Sequence, residues 1–145
     1  MGGKHSLADR YSKVKDADVP FAENCLGDPF LLREGKVVQL IAEAGEVELV
    51  DTTLVGFLRR CARRDPEIWL GARYLRQFVA DGEQLDPDRA LVAYPPLTLA
   101  ESTQGVSLKA IPRLAAIDYL SEFARRIKDL PDGTKVKITT GKPKT

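Results

Sequence analysis

Glu23 and Asp28 form the one compact pair of acids beside apolar, strand-forming residues, with Asn24 and Gly27 between them. Two carboxylates that converge at a suitable separation can hydrolyse a glycoside or hold Mg²⁺. The same residues also form a turn, because Asn and Asp side chains bond local backbone N–H groups and Pro29 follows Asp28 directly. The turn is the preferred expectation, and a small carboxylate-dependent hydrolase is the alternative. Histidine occurs once, as His5, so a serine triad, a Cys-His pair and a histidine-ligated zinc all lack their residues. Cys25 and Cys61 form no CxxC or metal-ligand pattern and read as small buried hydrophobes. No Walker loop or dinucleotide fingerprint is present. No catalytic residue, cofactor or metal is therefore expected.

A second group of residues could bind rather than react. Between Phe21 and Asp51 seven acids, among them Glu23, Asp28, Glu46 and Glu48, face only Arg33 and Lys36, a local balance of −5. From Thr52 to Ala80 six arginines, including Arg59, Arg60, Arg63 and Arg64, face two acids, a balance of +4. Such blocks either steer a charged partner or pair with each other on folding. The arginine run suits phosphates in principle, yet aromatic residues are few and the pI is about 7.7, so a solvated helix face is the better reading and nucleic-acid binding a minor one. The stretch Tyr94-Pro95-Pro96-Leu97 has a stiff backbone that either presents Tyr94 and Leu97 to a partner or ends an edge strand.

Elements that would position these groups follow from the apolar spacing. Phe30, Leu31 and Leu32, then Val37, Val38, Leu40 and Ile41, are β-forming runs bounded by Gly27, Gly35 and Gly45. Asp51 is an expected N-cap for a helix carrying Leu54, Phe57, Leu58 and Cys61 on one face. A further helix is expected from Pro66 to Ala80, weakened by Gly71. Short strands are expected at Ala90 to Tyr94, Val106 to Ile111 and Lys135 to Thr139. The strongest helix begins at Pro112 and carries the stripe Leu114, Ile117, Leu120, Ala124 and Ile127. Residues 1–18 have little apolar periodicity and read as a mobile arm or short surface helix of poor core material. One domain is expected over 19–140, with a polar tail at 141–145.

The order of pieces in the first third resembles the SUKH superfamily, which joins a fungal cell-wall-synthesis regulator to many bacterial toxin-immunity proteins. The matching residues are Pro20, Phe21 and Ala22, then Gly27 and Asp28 before a strand, Gly45 and Glu46 at a hairpin, and Phe57 and Leu58 in a helix. They lie within residues 19–62, and the several N-terminal helices usual in the superfamily are missing here. The resemblance implies an α+β domain, a small antiparallel sheet covered by amphipathic helices, and a non-catalytic protein-binding role as an immunity protein that neutralises a toxin, or as a regulatory adaptor. An acidic surface, as immunity proteins against nucleases often present, assigns partner contact to Glu23, Asp28, Glu46 and Glu48, with Tyr94 added from the proline loop.

Length and composition agree with that class. At 145 residues, 43% hydrophobic and 30% charged, the chain can build a core without disulfides. No apolar run approaches the ~18 residues of a membrane span, and the first 19 residues lack a signal-peptide core, so a cytoplasmic location is expected.

Overall fold

The computed structural model describes residues 6–63 and 70–136. It is an α+β protein. In chain order the elements are α1 (Leu7–Arg10), β1 (Val19–Glu23), β2 (Pro29–Arg33), β3 (Lys36–Ile41), β4 (Glu46–Asp51), α2 (Leu54–Arg63), α3 (Ala72–Ala80), β5 (Arg89–Tyr94), a 3₁₀ turn at Ala100–Gln104, β6 (Ser107–Pro112) and α4 (Arg113–Ile127). β1 to β4 form an antiparallel sheet in sequence order, and β5 and β6 form a separate antiparallel ribbon.

The hairpins close where the glycines allow. Gly35 and Gly45 sit at φ of 79° and 71°, a region that L side chains rarely enter. Both faces of the sheet are apolar. Leu31, Val38 and Leu40 pack on one side with Leu120 and Ala124 of α4, while Phe30, Val37 and Val50 pack on the other with Phe57 of α2. The Phe30 and Phe57 rings meet at 4.9 Å, and Phe21 adds an edge-on contact to Phe57 at 5.8 Å.

Residues 6–18 depart from the expectation of poor core material. Tyr11 and Val14 are buried in the cluster under α4, with Leu7 and Ala8 packed against it. Side-chain contacts hold this segment down. Tyr11 Oη donates to the Ala42 carbonyl at 2.9 Å, Arg10 pairs with Asp118, and Arg33 makes a two-toothed contact to Asp18 at 2.8 and 2.6 Å. Two buried side chains and a few long-range bonds leave no periodic signal. Tyr11 and Val14 cover part of the α4 side of the sheet.

Smaller corrections concern caps and stripes. Thr53, rather than Asp51, caps α2, accepting from Gly56 N–H at 2.9 Å, while Asp51 accepts from Thr53 N–H. Within the described part of the expected 66–80 helix, Leu70 is helical, and Gly71 in the left-handed region interrupts the run, with α3 starting at Ala72. A Cβ on Gly71 would stand 3.1 Å from Cys25 Sγ and 3.3 Å from Leu26, so the site excludes side chains by space as well as by φ. On α4 the buried residues are Ala116, Leu120, Ser121, Phe123 and Ala124, and Leu114 is 71% exposed. Of the expected stripe Leu120 and Ala124 are buried and Ile117 and Ile127 half-buried, so Leu114 alone departs from it. Of the expected terminal strand, Lys135 and Val136 are not in a strand and the remainder lies outside the described residues, as do His5, Arg64 and the 141–145 tail.

Candidate functional site

The turn at 24–28 is the centre from which the candidate sites are built. Asn24 Oδ1 accepts from the N–H groups of Leu26 and Asp28, both at 2.9 Å, and its Nδ2 donates to Asp28 Oδ2 at 3.2 Å. Asp28 Oδ1 accepts from Ala42 N–H at 2.9 Å at the end of β3. The pair thus stitches the turn to the sheet, as the turn reading requires. Gly27 has φ 81° and is placed so closely that a Cβ there would meet Ala90 of β5 at 3.5 Å. The ribbon is anchored beside it, with Leu91 N–H donating to the Cys25 carbonyl at 2.7 Å.

Asp28 is 8% exposed and does not belong to an accessible acidic surface, contrary to its expected partner contact. Burial pushes its carboxyl up to about 6, against the two hydrogen bonds, with Glu43 and Glu23 adding to the rise. Its nearest functional companion is Glu43, which the sequence reading passed over. Both line a cavity of about 210 Å³ between the turn, the end of β3 and β5, whose remaining walls include Leu26, Ile41, Leu91, Leu97 and Leu120. Glu43 is 9% exposed and accepts from Thr98 N–H at 2.5 Å. A lone acid between Ala42 and Ala44 at the end of an apolar strand was the available signal for it. Leu97, expected as a possible anchor, lines this cavity, and Pro96 behind it is fully buried.

Glu23 lines a different depression. A groove of about 580 Å³ runs between β1 and the start of α4, over Pro20, Phe21, Ala22, Pro29, Ala116 and Ile117. Glu23 and Arg113 both line it and pair with each other. Asp28 and Glu23 therefore do not share one cavity. Among the described residues β1 is an edge strand, four of its five residues are exposed, and a bulge between Pro20 and Ala22 interrupts its pairing.

The other expected contact residues are at the surface. Glu46 and Glu48 are exposed on the edge strand β4, and Tyr94 is 52% exposed at the end of β5, whose termination it marks. Several acids of the first sheet meet bases from elsewhere in the chain: Glu46 pairs with Lys13, Asp51 with Arg60 and Glu23 with Arg113. The opposed charge blocks are thus partly self-complementary. On α2, Arg60 also donates to the Val50 carbonyl at 2.8 Å, which ties one member of the arginine run to the sheet.

Both thiols are half-buried rather than buried, with Cys61 packed against the Phe57 cluster. Burial raises the Cys25 and Cys61 thiols above their usual range, away from the thiolate, and Cys25 Sγ contacts the carbonyls of Leu70 and Gly71 at 3.3 Å. Among the described residues no group of three or more His, Cys, Asp or Glu side chains is arranged to hold a metal ion, and no helix is long and apolar enough to cross a membrane. Compared with protein-family models, curated proteins and solved structures, the chain matches none.

Proposed function

We propose that the chain is a protein-binding domain of the SUKH type, an immunity protein or regulatory adaptor that acts by occupying a partner protein. The observation that carries this reading is the open, largely apolar groove beside β1, with Leu114 standing 71% exposed on its α4 wall. An exposed apolar feature rimmed by charge is what a docking surface requires. Pro20 cannot donate from the edge and the bulge breaks the ladder, so the contact is made by side chains seated in the groove rather than by strand addition. The Glu23–Arg113 pair offers both charges at the rim, while exposed Glu48 lies on β4 at the opposite edge of the sheet.

Copurification from the native host followed by reconstitution from two purified proteins tests the reading. Leu114→Glu is expected to weaken the reconstituted complex at least tenfold while leaving the fold intact. A reconstituted complex indifferent to this substitution would reject this surface. Hydrolysis of a substrate that disappears when Glu23 and Asp28 are both converted to their amides would replace the reading with the carboxylate-dependent one.

A further inference from the structure

We propose that the outward face of α2 docks an acidic amphipathic helix of a partner protein, with that helix's apolar side chains on Val55, Leu58 and Ala62 and its carboxylates at Arg59 and Arg63.

Spacing defines the face. Leu54, Phe57 and Cys61 turn α2 onto the sheet, in the cluster around Phe30 and Val37. On the side left over, Val55, Leu58 and Ala62 follow one another at intervals of three and four, and all are exposed, Val55 at 58% and Leu58 at 54%. A β-branched residue, a leucine and a small residue at that spacing form a seam on which a second helix packs. Apolar side chains scattered singly over a surface are ordinary, whereas a row along one helix marks a contact.

Charge selects the occupant. Arg59 and Arg63 stand four residues apart on the ridge beside the seam, both exposed, and no ion pair among the described residues engages either. Like charges at that spacing repel along a helix, and a carboxylate laid between them reverses the sign. α2 carries no acid of its own, so a second copy of the same face would meet it with repulsion. Duplex nucleic acid would satisfy the arginines but leave Val55 and Leu58 without apolar partners, and the one aromatic ring of α2, Phe57, is buried. A lipid surface takes up a helix by its main apolar face, which in α2 the sheet already holds. The helix dipole accounts for Arg63 in the last turn and not for the aliphatic row alongside.

This face is independent of the docking groove: α2 lies across the sheet from α4, and no residue of α2 lines the groove. The probes are labelled peptides of three heptads. One has isoleucine and leucine on its seam and flanking glutamates, a second has lysines in place of the glutamates, and a third keeps the acidic composition with the seam scrambled. Fluorescence anisotropy with the full chain is expected to show saturable micromolar binding of the first and about tenfold weaker binding of the other two. Amide shifts in nitrogen-edited NMR are expected to centre on Val55, Leu58 and Arg59. Leu58→Ser and Arg59→Glu, both at exposed positions, are each expected to weaken the first peptide about tenfold, with circular dichroism checking the fold. Equal binding of the three peptides by the unaltered protein, or no saturation below millimolar concentration, would overturn the proposal whatever the variants do. So would a peptide preference indifferent to both substitutions, shifts that map to the groove beside β1, or tighter binding of a short DNA duplex or of phosphatidylserine vesicles that is lost in Arg59→Glu.

Discussion

Tyr11 and Asp28 grip the two sides of one residue, Ala42: the phenol donates to its carbonyl at 2.9 Å and the carboxylate accepts from its N–H at 2.9 Å. The N-terminal segment and the turn at 24–28 are joined through the end of β3. Burial raises the Tyr11 phenol, with Asp28 nearby adding to the effect, so it remains a donor at any physiological pH. Tyr11→Phe leaves the buried Ala42 carbonyl without its partner and is expected to cost about 1–3 kcal/mol. Thermal unfolding should register this as a loss of roughly 2–4 °C per kcal/mol.

Asp28 makes stability fall as pH rises. Its folded value of about 6 lies above the unfolded value of 3.8, so the folded state holds the proton more tightly. The stabilisation is fully present below 3.8 and is lost as pH passes through about 6. Its size is about 3 kcal/mol, from 1.36 kcal/mol for each pH unit of difference. Asp28→Asn removes the titration, and its amide cannot satisfy Asn24 Nδ2, so it begins at a disadvantage at pH 4. Urea unfolding across pH 4–7.5 should show the variant gaining on the original protein by that amount. A constant difference across the range would refute the assignment.

The Arg33–Asp18 contact behaves in the opposite sense. The Arg33 guanidinium holds the Asp18 carboxyl below its usual range, and the side chains are 21% and 1% exposed. Stability from this pair is present above pH 3.8 and lost as pH falls through the depressed folded value. Asp18→Asn is expected to cost about 1.5–3 kcal/mol at pH 7, the range for a hydrogen bond to a charged group. That cost should shrink as pH falls through the depressed folded value and the original carboxyl takes up its proton.

Leu114 and Leu120 sit on one helix with opposite duties. Leu120 is 4% exposed within the core, so Leu120→Ala should cost about 2–5 kcal/mol. Leu114→Ala should change stability by no more than about 0.5 kcal/mol. Chemical denaturation of the two variants separates core from docking wall on a single element.

The sheet was legible because its signals are local. Gly35 and Gly45 mark hairpins, the runs Phe30–Leu32 and Val37–Ile41 have strand composition, and the two antiparallel strands of the ribbon follow the same logic. The site was less legible because burial is a property of the whole fold. Asp28 and Glu48 look alike in a charge count, yet one is enclosed beneath β5 and the other faces solvent. Glu43 emerged only when the ribbon closed a cavity over it, and Tyr11 only when Ala42 offered it a carbonyl. Leu114 fitted a helical stripe by spacing and lost its neighbours because the groove opens beside it.

The bond from Leu91 N–H to the Cys25 carbonyl joins the four-stranded sheet's 24–28 turn to the β5–β6 ribbon, which is a separate sheet among the described residues. A two-stranded ribbon is marginal on its own in water. The β5–β6 pair therefore owes its persistence to this suture and to its buried Ala90, Leu91 and Ala93. In deuterated solvent the Leu91 amide becomes the sentinel: its exchange times the parting of the two halves, while the inner amides of β3 keep their protons until the whole chain unravels.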